Sequence, residues 1–142
     1  MNTIRQILLL KRNFVWTVGP DQTVFDALRL MADKDVGALV VVQDDKIVGM
    51  LSERDYARKI ILLGKASKDT LVKEIMSFPV FTIHPDQTIE EAMEMMTHHR
   101  IRHLPVVEDD HLIGMVSIGD AVRDIIYRQR ETIKEMSERL RG

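Results

Sequence analysis

Apolar positions along this chain follow two alternating rhythms. Val24, Ala27, Leu28 and Met31 recur at i, i+3, i+4 and i+7, as do Ile89, Ala92, Met93 and Met96, which predicts amphipathic helices opening after Thr23 and after Thr88. In Thr23-x-x-Asp26 the first of these carries a capping-box pattern at its start. Leu39 to Val42 and Ile47 to Leu51 are short runs rich in β-branched residues, separated by Asp44-Asp45, which predicts two strands joined by a tight acidic turn; Leu104 to Val116 copies the arrangement. Phe14 to Val18 reads as a short extended segment broken by Pro20. After Ser52 the pattern returns to helical, carrying Tyr56, Ala57, Ile60 and Ile61 and closed by Gly64. The polar run Lys65 to Asp69 is the one convincing linker. Ile4, Ile7 and Leu8 predict a helix within Met1 to Asn13 that packs on the module, with a counterpart at Thr70 to Met76. A last helix starts near Ser117, where Ile126, Ile133 and Leu140 stand seven apart and Val122, Gln129 and Met136 fill a second row. That seam predicts either a dimer contact or a helix lying back on the module.

The rhythm is duplicated. Laying residues 17–58 on 82–123 at a constant shift of 65 needs no gap and matches 17 of 42 positions. Pro20-Asp21-Gln22-Thr23 returns as Pro85-Asp86-Gln87-Thr88, and Gly49-Met50-Leu51-Ser52-Glu53-Arg54-Asp55 as Gly114-Met115-Val116-Ser117-Ile118-Gly119-Asp120. Each repeat reads β-α-β-β-α. The expected fold is α+β, tandem repeats packed with pseudo-twofold symmetry. Residues 1–64 form the first repeat with its N-terminal helix, 65–127 the second, and 128–142 a helical tail. At the end of each second hairpin strand, Ser-x-x-Asp is a capping box. The same geometry has a functional reading, because a helix N-terminus offers unpaired N–H groups and a positive dipole end to phosphate, while a nearby carboxylate accepts hydrogen bonds from a ribose diol.

Composition narrows the field. With 142 residues, 45% hydrophobic, 30% charged and a net charge of −2, the chain suits one compact domain or two small repeats sharing a core, with no general pull toward nucleic acid or acidic membranes. There is no cysteine, hence no disulfide, thiolate nucleophile or cysteine-ligated metal. No apolar run approaches the roughly 20 residues that span a bilayer, and none resembles a signal peptide, so the expectation is a cytoplasmic protein.

With its two β-α-β-β-α repeats, each ending Gly-h-h-Ser-x-x-Asp, and with Arg102-His103-Leu104-Pro105-Val106-Val107, the chain resembles a cystathionine β-synthase (CBS) domain pair, or Bateman module, over nearly its whole length. The resemblance implies adenosine-containing ligands (AMP, ADP, ATP, S-adenosylmethionine or NAD) in two clefts between the repeats, and regulation of an attached or associated protein. Carried onto this sequence, it implies that Asp55 and Asp120 hold the ribose hydroxyls and that Ser52 and Ser117 contact phosphate. Arg54 stands where the family adds a further phosphate contact, and Gly119 offers only a backbone N–H there. At the start of the second strand, Arg102 and His103 bring one fixed and one titratable charge toward phosphate, whereas Gly37 and Ala38 leave room and backbone groups for the base. Val18 and Ile83 stand either at an adenine wall or in the ordinary core. AMP ranks ahead of ADP and ATP, since no Walker-type loop and no magnesium-binding acidic cluster is present, and NAD fits if its second half extends out of the cleft.

Other chemistries find less support. His99 and His103 are four apart, but the chain passes from helix to strand between them and no acidic or cysteine ligand completes a zinc set, so no metal is expected. No serine sits in a nucleophile elbow and no paired carboxylates flank a cleft, so the protein is not expected to be an enzyme. The competing hypothesis is a structural dimerisation module whose Ser-x-x-Asp motifs serve only as caps. Expected partners are a second copy of the chain, through the repeats and the C-terminal helix, and a separate effector protein.

Overall fold

The computed structural model describes residues 2–11 and 15–141. Met1, Arg12 and Asn13 of the expected N-terminal helix and Phe14 of the expected first strand lie outside the described residues. The elements are α1 Ile4–Lys11, β1 Thr17–Val18, α2 Val24–Lys34, β2 Ala38–Gln43, β3 Lys46–Ser52, α3 Glu53–Tyr56 running into a π-helical turn Ala57–Ile61, α4 Val72–Ile75, α5 Ile89–His99, β4 His103–Glu108, β5 His111–Ser117 and α6 Ile118–Arg141. Both repeats carry the predicted order. The first strand of the second repeat is reduced to a single bridge, Ile83 to Val106.

Packing divides the chain into two compact units, one from Val15–Phe81 and the other from α1 together with the chain from Thr82 onward. The repeat boundary in sequence, at residue 64, and the packing boundary therefore differ. The reason lies in the duplicated Pro-Asp-Gln stretch. Amides at a helix N-terminus lack partners within the helix, and this stretch supplies them. In the first unit Val72 N donates to the Gln22 carbonyl at 2.8 Å and Lys73 N to the Pro20 carbonyl at 3.0 Å, while Lys73 Nζ pairs with Asp21 at 3.0 Å. In the second, Ile4 N donates to the Gln87 carbonyl at 2.9 Å and Arg5 N to the Pro85 carbonyl at 2.8 Å, while Arg5 pairs with Asp86 at 3.1 Å. The helix preceding each repeat in sequence thus docks in the opposite unit.

Within the Val15–Phe81 unit the sheet order is β1-β2-β3. β1 runs parallel to β2 with Val18 opposite Val41, and β2 pairs antiparallel with β3, placing Ala38 opposite Ser52. In the other unit β4 and β5 repeat that pairing with His103 opposite Ser117. Both hairpins turn on two aspartates of positive φ, Asp44 and Asp45 at 51° and 62°, Asp109 and Asp110 at 52° and 63°. Left-handed backbone at both turn positions matches the strand twist, and aspartate tolerates it better than most residues. Thr23 Oγ1 accepts from Asp26 N at 3.1 Å, the hydroxyl half of the expected box, and Thr88 Oγ1 accepts from Glu91 N at 3.2 Å.

Val24, Ala27 and Met31 of α2 bury against Leu39, Val41 and Leu51, with Val72 and Ile75 of α4 and Ile60 of the π-helical turn closing the cluster. Ile60, which the helical pattern after Ser52 carries beside Ile61, is therefore core, and Tyr56 packs partly buried against the cluster. Its neighbours Ile61, Leu62 and Leu63 are exposed. α6 is one continuous helix of 24 residues, so residue 128 is no structural boundary. Ile133, Met136 and Leu140 of its seam are exposed, Leu140 at 89%, and the distal turns do not lie back on the unit. Among the described residues no helix is long and apolar enough to cross a membrane.

Gly49 illustrates how closely α4 and the residue after it seat on β3. A Cβ at this position would stand 2.5 Å from Met76 Sδ and 2.9 Å from its Cγ. Gly49→Ala should destabilise by about 1–3 kcal/mol, because Met76 must leave its place. Urea unfolding of the two single variants and of Gly49→Ala with Met76→Ala tests the contact: the double variant should lose less than the sum of the two singles, and strict additivity would contradict it.

Candidate functional site

Each unit builds the same junction, in which a hairpin strand ends on a serine and a helix begins immediately after. At the end of β3, Ser52 has extended backbone and its Oγ accepts from Asp55 N at 3.2 Å. Asp55 returns the bond, its Oδ2 accepting from Ser52 N at 3.0 Å and from Ser52 Oγ at 3.1 Å. Its other oxygen accepts from Ser77 Oγ at 2.9 Å and lies 3.3 Å from Lys59 Nζ. Lys59 also donates to the Ile75 carbonyl at 2.9 Å, tying the π-helical turn to α4.

At the end of β5, Ser117 Oγ accepts from Asp120 N at 3.1 Å and Ser117 N donates to Asp120 Oδ2 at 2.8 Å. The same Oδ2 takes Lys11 Nζ at 2.7 Å, and Oδ1 takes Arg123 Nη2 at 2.7 Å. The Asp120 side chain is only 3% exposed, against 13% for Asp55. Burial pushes the Asp120 carboxyl up, and the bonds from Lys11 and Ser117 more than reverse this, leaving it below its ordinary value. Beside it, Asp124 accepts from Asn2 Nδ2 at 2.7 Å and from Arg128 Nε at 2.9 Å.

The strand starts contribute backbone as well as side chains. Glu53 N donates to the Gly37 carbonyl at 3.1 Å and Ile118 N to the Arg102 carbonyl at 2.9 Å. With the third amide of each helix held by serine, the second, that of Arg54 or Gly119, has no protein acceptor among the described residues. Arg123 lies over this turn: a Cβ at Gly119 would meet its Nη1 at 3.4 Å and Ser117 Oγ at 3.6 Å. A cavity of about 260 Å³ opens beside Asp120, lined by Ile7, Leu10, Lys11, Asp120, Arg123, Asp124 and Tyr127.

The structure therefore brings Ser52, Asp55, Arg54, Gly37 and Ala38 together in one unit, and Ser117, Asp120, Gly119, Arg102 and His103 together in the other. It does not present Val18 and Ile83. At 4% and 2% exposure they are core residues, and Ala38 is buried too. His103 departs from a charged phosphate ligand: burial, with Lys11 and Arg102 nearby, lowers its pKa from 6.5 despite the opposing pull of Asp120, so the neutral imidazole prevails at pH 7. Lys11, Arg123, Lys59 and Ser77 were not singled out from the sequence. Arg123 and Lys59 follow their aspartates by three and four residues on one helix and were legible as neighbours. Lys11 and Ser77 arrive from the docking helix and the segment after it, which no local pattern signals. Arg58, the repeat counterpart of Arg123, makes no such bond to Asp55; its turn is π-helical, and Lys59 takes that role.

Among the described residues His99 and His103 belong to no set of metal-ligating groups. Among the described residues, His84, Asp86 and Glu108 do bring donor atoms within 4.8 Å of one another. The guanidinium of Arg5 already stands among them, bonded to Asp86 and to Glu108, and supplies the positive charge the carboxylates require.

Comparison with known proteins fits this duplicated junction. The CBS domain family model matches residues 4–62 and 72–127, and the chain belongs to that family. It is 43% identical over 127 residues to the CBS domain-containing protein CBSX3, mitochondrial, of Arabidopsis thaliana, covering 86% of this chain and 62% of that one. The structure of a CBS-domain protein of Burkholderia ambifaria MC40-6 assigned to signal transduction superposes with a TM-score of 0.86 at 46% identity, over 90% of this chain and 96% of that one. The hexameric CBS-CP12 protein from bloom-forming cyanobacteria gives 0.76 at 25% identity, over 95% and 86%. The relatives are CBS-domain proteins of regulatory and signal-transduction type. This chain spans 62% of the length of the Arabidopsis relative.

The lowered pKa of His103 sets a pH response. Between its folded pKa and 6.5 the unfolded chain binds more protons than the folded one, so stability should fall as pH drops from about 6.5 through that range. Urea unfolding at pH 7.5 and 5.5 should show this loss in the parent and a smaller one in His103→Gln. Equal losses would show that His103 is not the group responsible.

Proposed function

We propose that this protein is a regulatory module that binds a phosphate-bearing adenosine ligand and conveys its presence to a separate effector protein. The observation carrying the reading is the twofold occurrence of one junction in which a shielded carboxylate, a helix-initial amide without a protein acceptor among the described residues, and nearby cations stand side by side. In this reading the ribose hydroxyls donate to Asp55 or Asp120. Phosphate lies toward the amide of Arg54 or Gly119 and toward Ser52 or Ser117, with Arg54 and Arg102 adding charge. Gly37 and Ala38 offer backbone groups to the base. AMP is the expected ligand ahead of ADP and ATP, with NAD as the dinucleotide alternative, and the expected setting is the cytoplasm. No catalytic role is assigned to any residue.

A second reading has its own observation. Every oxygen of Asp55 and Asp120 already accepts hydrogen bonds within its unit, which is what purely structural caps would do. The two readings separate in a thermal melt. A ligand that binds only the folded state raises the midpoint, so AMP, ATP or NAD should stabilise the parent, and a midpoint unmoved by all of them together with S-adenosylmethionine would leave the structural module. Asp55→Ala and Asp120→Ala should each abolish AMP binding at their own junction in calorimetry, while the lost cap costs about 0.5–2 kcal/mol of stability. Unchanged AMP affinity in both would remove the ribose role.

Self-association follows from the exposed apolar surface of Ile61, Leu62 and Leu63 and of the α6 seam, and the hexameric cyanobacterial relative is an assembled example of the fold. The expected state is a homodimer. Light scattering at high micromolar concentration should give at least the dimer mass, and a monomer mass would refute it. Removing residues 128–142 assigns the contact to the tail if the mass halves, or to the repeats if it does not.

A further inference from the structure

The two junctions hold their carboxylates differently, and the difference bears on ligand choice. Asp55 is bonded by Ser52 and Ser77, with Lys59 at 3.3 Å as its one cation among the described residues. Asp120 is bonded by two cations at 2.7 Å, Lys11 on Oδ2 and Arg123 on Oδ1. It is also the more deeply buried of the two. For a ribose diol to reach Asp120, both cations must give way, and each then needs another anion. A nucleoside supplies none. Its neutral hydroxyls would replace charge-assisted bonds with weaker ones, and the displaced ammonium and guanidinium would exchange the carboxylate for water alone.

We propose that Lys11 and Arg123 make the Asp120 junction selective for phosphate-bearing adenosine ligands, exchanging their bonds to Asp120 for bonds to phosphate as the ribose takes the carboxylate. The inference rests on the nucleotide reading above. Three features of the junction favour an exchange over a fixed structural clamp. Arg123 is 72% exposed and Lys11 35%, so both can turn without unfolding their helices. A Cβ at Gly119 would stand 3.4 Å from Arg123 Nη1, so the guanidinium already lies over the turn whose second amide has no protein acceptor among the described residues, and a short movement lets it share an anion with that amide. Lys11, Arg123 and Asp120 all line the same cavity, and its volume of about 260 Å³ falls below the roughly 300–1,000 Å³ usual for ligand pockets. Withdrawal of the two long side chains is the movement that enlarges it.

Lys11 and Arg123 are thus specificity residues, one contributed by α1 and one by α6. Among the described residues the first unit has no equivalent pair, and its junction should discriminate less between nucleotide and nucleoside.

The test is calorimetry with AMP and with adenosine on the full chain carrying Asp55→Ala, so that the Asp120 junction is the one observed. With Lys11 and Arg123 present, AMP should bind at least about tenfold more tightly than adenosine, the ratio worth one charge-assisted bond. Lys11→Met should weaken AMP about tenfold and leave adenosine unchanged or tighter, collapsing the ratio, and Lys11→Arg should restore it. Arg123→Met carries the same expectation and, being on an exposed side chain, holds if Lys11→Met fails to fold. AMP binding with the ratio unchanged in both methionine variants would overturn this inference alone. Binding of neither ligand by the unsubstituted parent would overturn the nucleotide reading and this inference with it.

Discussion

At the two strand-to-helix junctions the backbone leaves a hydrogen-bonded ladder and enters a helix whose first amides have no partners within the helix itself. Much of the molecule is arranged to satisfy that demand. Serine and aspartate three residues apart exchange bonds with each other's amides, and the carboxylate they recruit is shielded from water. A shielded carboxylate then needs donors of its own. In one unit these are Ser77 and Lys59; in the other they are Lys11 and Arg123. The helix that precedes each repeat in sequence is drawn into the opposite packing unit, where it or the segment after it meets the aspartate. Capping, docking and the charge of the candidate site are one connected requirement.

The same docking depends on Pro20-Asp21-Gln22 and its copy Pro85-Asp86-Gln87. Proline ends the preceding extended segment without using its own carbonyl, glutamine leaves a second carbonyl free, and the aspartate between them meets a cation on the incoming helix. The two incoming helices differ in length, eight residues in α1 against four in α4. The longer one carries Lys11 as far as Asp120, and the shorter one ends so that Ser77 reaches Asp55. An asymmetry in helix length thereby becomes an asymmetry in the charge around two otherwise matching carboxylates. That is the physical basis for expecting unequal ligand preferences from a duplicated fold.

By itself the sequence determined the duplication, the element order and the hairpins, because these depend on local periodicity, on β-branched runs and on turn aspartates that tolerate positive φ. The junction residues Ser52, Asp55, Ser117 and Asp120 were legible for the same reason, since a capping box is a four-residue pattern. Tertiary structure alone decided that α1 packs with the second repeat, that Ile60, Val18 and Ile83 are core, that burial suppresses the charge of His103, and that Lys11 and Ser77 reach the carboxylates. Each of these depends on what lies across from a residue in space. Periodicity reports which face of an element is apolar and says nothing about which distant segment will cover it.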